Sequence, residues 1–171
     1  MKIALAAVLP ALALLLLLTG TGRATVPQEG PEDPASARAV AALTGPDRTA
    51  AVLPPAFLAG HRVALVGGRL VDPGGACSSP VALPRAFGDA CRAHDLGYDL
   101  LRFAAAQGAP LGGWARAAID RRFGDDLRAA CGGAPCRLLA GVVGVVVDLN
   151  SWRQGWSVPV VEHGPFVRDA A

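Results

Sequence analysis

The chain has 171 residues, 16 of them basic and 14 acidic, and its single lysine is Lys2. This length is typical of one domain with a short additional segment. A surface that binds nucleic acid needs clustered lysine and arginine, whereas the arginines here are distributed along the chain, so the composition argues against a nucleic-acid partner.

Residues 1–24 have the layout of a secretory signal peptide. Lys2 is followed by an apolar run over residues 3–18 and then by small residues up to Ala24. Because the run is shorter than the roughly 20 residues that cross a bilayer, we expect a cleaved leader and not a membrane anchor. Its removal takes away Lys2 and Arg23 and leaves 14 basic and 14 acidic side chains, a formally neutral chain. The expected location is extracellular.

Residues 25–60 are predicted to be a linker or a pro-segment, because prolines interrupt them repeatedly. One short helix is expected over residues 35–43. The domain proper is predicted to span residues 61–171. It begins with a short strand over residues 62–66, followed by a loop rich in glycine and proline that we expect to be irregular.

Two amphipathic helices and a third apolar helix are predicted for the rest of the domain. In the first, the apolar stripe steps by four and three residues and contains one histidine: Phe87, Cys91, His94, Tyr98, Leu101 and Ala105. The stripe of the second contains one aspartate: Trp114, Ala117, Asp120, Phe123, Leu127 and Cys131. The third helix is expected to reach about Trp152, with an apolar part too short to cross a bilayer.

The two polar residues of these stripes are expected to meet. Consecutive helices with a short connection pack antiparallel, and His94 and Asp120 are equidistant from Gln107. A carboxylate on one ring nitrogen would fix the tautomer of the imidazole and leave the other nitrogen available for chemistry. The alternative is a core histidine that is paired for packing alone.

Asp95 points about 100° away from His94 around the helix and therefore faces a different neighbour. If Cys77 is tied to Cys91, that neighbour is the glycine-rich loop before the helix. A carboxylate that faces backbone carbonyls has the outline of a calcium site. The alternative is a solvated surface charge.

Four cysteines in an exported chain favour two disulfides. Three pairings are possible, and we favour the two local bridges, Cys77 with Cys91 and Cys131 with Cys136. A zinc site is the alternative, although the spacings are not those of paired C-x-x-C motifs.

At these residues the sequence resembles the secreted phospholipase A2 superfamily, in particular its small bacterial and fungal branch. The resemblance covers about residues 71–136. It rests on "CRAHDLGY", which has the form Cys-x-x-His-Asp-x-Gly-Tyr, on "CSSP" upstream, and on "AIDRRFGDDL" downstream. It implies a mainly α fold with a phospholipase A2-like core, in which two antiparallel helices carry the His-Asp site, a C-terminal helix follows, and two disulfides staple the domain.

The resemblance also implies an activity and a role for each matching residue. The activity is that of a hydrolase in lipid degradation, which cleaves the sn-2 acyl ester of glycerophospholipids with calcium. His94 resembles the general base that activates water, Asp120 the aspartate that orients it, and Asp95 the calcium ligand. Tyr98 is similar to the tyrosine that packs near this network. The implied partners are phospholipid aggregates or a membrane surface, contacted peripherally by a monomer.

One position departs from the family pattern. The bacterial branch typically has Asp-Gly-Cys before the first cysteine of the loop, whereas this chain has Gly75-Ala76-Cys77. Asp72, or backbone carbonyls of Gly74, Gly75 and Ala76, would have to supply the missing ligand, so we expect weak calcium binding. The alternative function is a phospholipase A2-like binding or toxin module with weakened catalysis. A generic serine esterase is disfavoured because the chain has no Gly-x-Ser-x-Gly motif.

Overall fold

The computed structural model describes residues 30–79 and 81–160. The expected signal peptide lies outside the described residues. Within them the α-helices are α1 (Pro34–Thr44), α2 (Pro55–Gly60), α3 (Gly88–Ala106), α4 (Gly113–Ala129) and α5 (Ala134–Arg153). Two short strands, β1 (Ala64–Val66) and β2 (Arg69–Val71), lie between α2 and α3, and 3-10 turns occur at Arg48–Ala50 and Arg85–Phe87. The prediction of a mainly helical domain is confirmed.

Helices α3 and α4 form the predicted antiparallel pair. His94 contacts Asp120, while Tyr98, one turn later in α3, contacts Arg116, one turn earlier in α4. The helices approach closely at Gly97, where an added Cβ would lie 2.9 Å from a methyl carbon of Ile119. A side chain at this position would therefore push the two helices apart.

Helix α5 packs along α4 in the opposite direction. An added Cβ at Gly144 would lie 3.9 Å from the Cα of Gly124, and the end of α5 brings Ser151 next to Asp120. The outer face of α5 is exposed and apolar. This helix of 20 residues has the length and composition of a membrane-spanning helix, and only 11% of its apolar segment is buried. It is longer than the apolar stretch expected from the sequence.

Residues 34–60 are part of the same helical unit. Four of their apolar side chains are buried in one core with α3 and α4: Ala39, Val40, Leu53 and Phe57. Asp33 caps α1 through a 2.7 Å bond from the Ser36 amide, and Glu32 accepts hydrogen bonds from the Gly112 amide and the Trp114 indole. The segment is thus not a detached linker, because its apolar residues are needed to cover the helix pair. Trp114, expected in the core, is 44% exposed.

Strands β1 and β2 form an antiparallel hairpin in which Ala64 pairs with Val71. The two turn residues, Gly67 and Gly68, have positive φ angles of 55° and 73°, as a two-residue hairpin turn requires. The predicted strand is therefore present in shorter form. The expectation of an irregular loop after it is wrong at residues 69–71, because the Gly-Gly pair closes a hairpin.

Both predicted disulfides are present, Cys77 with Cys91 and Cys131 with Cys136. All four cysteines are therefore disulfide-bonded and not available as zinc ligands, so the alternative of a cysteine zinc site is wrong. The first bridge ties the loop before α3 to that helix, and the second closes the turn between α4 and α5. Two disulfides are typical of proteins that fold in an oxidising compartment.

Candidate active site

His94 and Asp120 face each other across the α3–α4 interface. The imidazole Nε2 lies 2.8 Å from Asp120 Oδ1. The Asp120 side chain is fully buried, whereas 11% of the His94 side chain is exposed. The pair is therefore shielded on the carboxylate side and reachable on the imidazole side.

The other hydrogen bonds of Asp120 determine the tautomer of His94. Tyr98 OH donates to Asp120 Oδ1 at 2.8 Å, and the Ser151 hydroxyl donates to Oδ2 at 2.5 Å. Because both carboxylate oxygens act as acceptors, the imidazole donates from Nε2. Its Nδ1 then carries the lone pair, and no described residue hydrogen-bonds to it. A neutral imidazole with a free Nδ1 can accept a proton from water.

Two aromatic rings hold the imidazole in place. The ring centroids of Tyr98 and Phe123 lie 4.1 Å and 4.6 Å from that of His94. Burial, followed by the charge of Asp120, raises the pKa of Tyr98 to about 12. The phenol therefore stays protonated at neutral pH and remains a hydrogen-bond donor to the carboxylate.

Arg116 lies behind this network and is only 1% exposed. Its Nε donates to the Ser151 hydroxyl oxygen at 2.8 Å, and one of its terminal nitrogens donates to Gln154 and to the Ser157 carbonyl oxygen. Ser151 thus connects the buried Arg116 guanidinium to the Asp120 carboxylate through two hydrogen bonds. This arrangement fixes the carboxylate from the side opposite His94.

Asp95 faces the loop of residues 72–76, as its position on α3 predicts. Ala76 N–H donates to Asp95 Oδ2 at 2.9 Å, and Asp72 N–H donates to the Arg92 carbonyl oxygen at 3.1 Å. Together with the Cys77–Cys91 disulfide, these contacts hold the loop against α3 at both of its ends.

The loop approaches Asp95 most closely at Gly75. An added Cβ there would lie 2.6 Å from Asp95 Oδ2 and 3.3 Å from the Cα of Arg92. Position 75 therefore accommodates no side chain in this conformation. The absence of a side chain at Gly75 is what allows the loop to close on the Asp95 carboxylate.

The pKa of Asp95 is raised to about 6, mainly by burial. His94 and the Ala76 amide act to lower this pKa, and the carboxylates of Asp99 and Asp72 act to raise it. Asp72 Oδ1 accepts a hydrogen bond from Gly74 N–H at 2.9 Å. A half-buried carboxylate with acidic neighbours is an environment that a cation would stabilise. No group of three or more His, Cys, Asp or Glu side chains with metal-ligand geometry occurs in residues 30–79 and 81–160. Among these residues, side chains therefore offer a cation two carboxylates at most.

Ser151 and Arg116 belong to the site, although no motif in the sequence predicts them. Arg116 precedes Asp120 by four residues on one helix, a spacing that brings two side chains to the same face, so a signal for it was present. Ser151 lies 31 residues from Asp120, and only the packing of α5 on α4 brings the two together.

Comparison with known proteins identifies no relative of this chain: no family model, no curated protein and no solved structure matches it.

Proposed function

We propose that the protein is a secreted, calcium-dependent phospholipase A2 that hydrolyses the sn-2 acyl ester of glycerophospholipids. The observation that carries this proposal is the hydrogen bond between His94 Nε2 and the buried Asp120 carboxylate, which leaves Nδ1 of His94 free. Asp95, the proposed calcium ligand, is the next residue on α3. The resemblance of "CRAHDLGY" to the superfamily supplies the reaction class. The chemistry of the side chains is consistent with it.

In this proposal His94 Nδ1 takes a proton from a water molecule as that water attacks the ester carbonyl. Asp120 holds the imidazole in the required tautomer and stabilises the imidazolium that forms. The same nitrogen then returns the proton to the leaving alkoxide of the glycerol. Tyr98 and Ser151 keep the carboxylate fixed, so that His94 does not reorient between the two proton transfers.

Calcium is the proposed cofactor, and bound calcium would polarise the ester carbonyl and stabilise the oxyanion. Asp95 and Asp72 would hold it with backbone oxygens of Gly74, Gly75 and Ala76. The fit rests on the half-buried Asp95 carboxylate, whose pKa is raised by burial and by the acidic side chains of Asp99 and Asp72. In each of the two aspartates, one carboxylate oxygen accepts a hydrogen bond from a backbone amide. The other oxygen has no hydrogen-bond donor among the described residues. With only two charged ligands, low affinity is expected.

The outer face of α5 supports contact with phospholipid aggregates or a membrane surface. Four exposed apolar side chains spaced by seven, four and three residues share this face: Leu138, Val145, Leu149 and Trp152. An apolar surface of this kind marks an interaction site, and Trp152, which is 68% exposed, has the amphipathic ring that favours the headgroup region. The proposed mode is peripheral contact by a monomer.

The second candidate is a phospholipase A2-like binding or toxin module with weakened catalysis. The specific observation in its favour is Gly75, which supplies no ligand side chain and sits too close to Asp95 to be replaced by one. In such a module the loop would be a structural clasp for α3, and the exposed face of α5 would be the functional surface.

Fatty-acid release from phospholipid micelles discriminates the two candidates. Wild type, His94→Asn and Asp120→Asn are compared with millimolar calcium and with chelator, and circular dichroism verifies that each variant is folded. The enzyme proposal expects calcium-dependent release by wild type, loss of release in His94→Asn, and a reduced rate in Asp120→Asn. Equal release by wild type and His94→Asn would refute it. Micelle binding without release by any of the three proteins favours the binding module.

A further inference from the structure

Three arginines from three separate elements converge on one buried carboxylate. Asp126 in α4 is 2% exposed. Arg48 Nη1 lies 2.6 Å from Asp126 Oδ2, Arg122 Nη2 lies 3.2 Å from Oδ1, and Arg69 Nη1 lies 3.9 Å from Oδ2. Only the first contact is also a hydrogen bond. We call Arg48, Arg69, Arg122 and Asp126 the arginine cluster.

The arginine cluster has more positive charge than its carboxylate can balance. Three guanidinium groups and one carboxylate leave an excess of two positive charges, and within the described ranges these arginines form no other ion pair. The Nε atoms of Arg69 and Arg122 are buried and have no hydrogen-bond partner. Buried cationic donors without acceptors are unfavourable, and the oxygens of an anion would satisfy both the charge and the donors.

The arginine cluster lies in the same cleft as the candidate base. One cavity of about 30 Å³ is lined by all four residues of the cluster and by His94. The other side of this cavity is apolar, and includes Leu43, Leu70, Ile119 and Phe123. This volume is about that of one water molecule in the liquid, so the cavity admits only the oxygens of a single small group, and the rest of a ligand lies outside it.

We propose that the arginine cluster is an oxyanion-binding site for an amphiphile. Arg69 and Arg122 would bind the charged oxygens and Arg48 would keep Asp126 neutralised. The apolar part of the ligand would lie against Leu43 and Leu70, which line the cavity and are partly exposed. Guanidinium groups bind carboxylate and phosphate with paired donors. The carboxylate of a fatty acid and the phosphate of a lipid headgroup share this chemistry. Binding requires no turnover and is therefore independent of the proposed catalytic role of His94.

Calorimetric titration of the purified protein in chelator tests the proposal. The probes are octanoate, octyl phosphate and octanol, each below its aggregation concentration. The site predicts binding of at least one anionic probe and no comparable binding of neutral octanol. Binding of octanoate alone assigns the site to carboxylates, and binding of octyl phosphate alone assigns it to phosphates. Equal affinity for octanol and both anions, or no binding of either anion, would overturn the proposal.

Variants locate the binding in the cluster. Arg69→Gln is the first choice, because Arg69 is the arginine farthest from Asp126, and Arg122→Gln serves if that variant does not fold. Loss of one charge-assisted contact is expected to weaken binding of the anion about tenfold. Arg128→Gln on the same helix is the matched control, since Arg128 is half exposed, pairs with Asp125 and does not line the cavity. Unchanged affinity in a folded Arg69→Gln or Arg122→Gln protein would place the anion elsewhere and reject the site. The titration measures binding in chelator and without turnover, so failure of the enzyme proposal would not affect this result.

Discussion

The Ser151 hydroxyl donates a 2.5 Å hydrogen bond to Asp120 Oδ2 and joins the C-terminal end of α5 to the candidate catalytic pair. Both residues are buried, with exposed fractions of 0% and 2%. The Asp120 carboxylate that pairs with His94 is thus fixed by residues of three helices. Tyr98 comes from α3, Asp120 itself from α4 and Ser151 from α5. The geometry of the pair depends on a helix that the motif resembling phospholipase A2 does not include.

Ser151→Ala should lower both activity and stability. It leaves the buried Asp120 Oδ2 without its Ser151 donor and Arg116 Nε with only the 3.3 Å bond to Tyr98, a loss of about 1–3 kcal/mol in the free energy of unfolding. The rate of sn-2 hydrolysis should fall about tenfold because Asp120 is less rigidly oriented. Urea unfolding and fatty-acid release measure the two effects. Ser157→Ala is the control, because Arg116 bonds only the backbone oxygen of that residue, and equal behaviour of the two variants would exclude a role for the Ser151 hydroxyl.

The stability of the metal-free protein should depend on the ionisation of Asp95. Its folded pKa is about 6, raised by burial from 3.8, so between these pH values the folded state holds a proton that the unfolded chain has lost. The free energy of unfolding should therefore decrease as the pH rises from about 4 to about 6. Asp95→Asn removes this decrease and should be more stable than wild type at pH 7 by about 1–2 kcal/mol. Urea unfolding of both proteins in chelator across this pH range measures the free energy of unfolding. A difference in this free energy between the two proteins that does not change with pH would contradict the prediction.

Calcium should stabilise wild type and leave Asp95→Asn unaffected. A ligand that binds only the folded state raises its stability in proportion to the logarithm of the ligand concentration. Millimolar calcium should therefore raise the melting temperature of wild type and leave that of Asp95→Asn unchanged. Magnesium at the same concentration is the control for ionic strength. An equal rise in both proteins would show that Asp95 is not a ligand.

Gly75→Ala should open the loop that lies on Asp95. The added Cβ would lie 2.6 Å from Asp95 Oδ2, a contact that the backbone must relieve at a cost of about 1–3 kcal/mol. Calcium binding should weaken in parallel. Gly74→Ala is the matched control, because its Cβ would make only an ordinary 3.5 Å contact with Asp72. Unfolding by urea and calcium titration of both variants measure the effects, and indistinguishable results would mean that the loop does not depend on close approach at position 75.

The two disulfides should contribute unequally to stability and to the site. Cys77 and Cys91 are separated by 14 positions, Cys131 and Cys136 by 5. Loop-closure entropy assigns them about 3 and about 2 kcal/mol of stabilisation. Replacement of the first pair by serine should therefore lower the melting temperature more and also weaken calcium binding, because it releases the loop. Replacement of the second pair should leave calcium binding unchanged, and the opposite pattern would refute this assignment.

Local patterns predicted the helices and the pairing of His94 with Asp120. A stripe that steps by three and four residues defines the buried face of a helix, and a short connection makes neighbouring helices antiparallel, so the two polar residues of the stripes meet. The position of Asp95 opposite the loop follows from the 100° rotation per residue. The local disulfides follow from the spacing of the cysteines.

Contacts between distant segments could not be predicted in this way. Ser151 reaches Asp120 only because α5 packs tightly on α4 at Gly144 and Gly124. The arginine cluster joins Arg48, which lies in a proline-rich stretch that was expected to be a linker, to Asp126. That stretch folds onto the helix pair because its apolar side chains are buried against α3 and α4. The spacing of apolar residues within one segment does not show which distant segment packs against it. The hairpin at residues 64–71 does have a local signal, the Gly-Gly turn, which is typical of a two-residue hairpin connection.

The most direct test of the central claim is the position of the ester bond that the protein cleaves. The substrate is a phosphatidylcholine with palmitate at sn-1 and oleate at sn-2, offered in micelles with millimolar calcium, and mass spectrometry identifies the released acid. The account predicts oleate without palmitate from wild type, and neither acid from His94→Asn or in the presence of chelator. Release of palmitate, or no release from a folded protein with both disulfides intact, would contradict it.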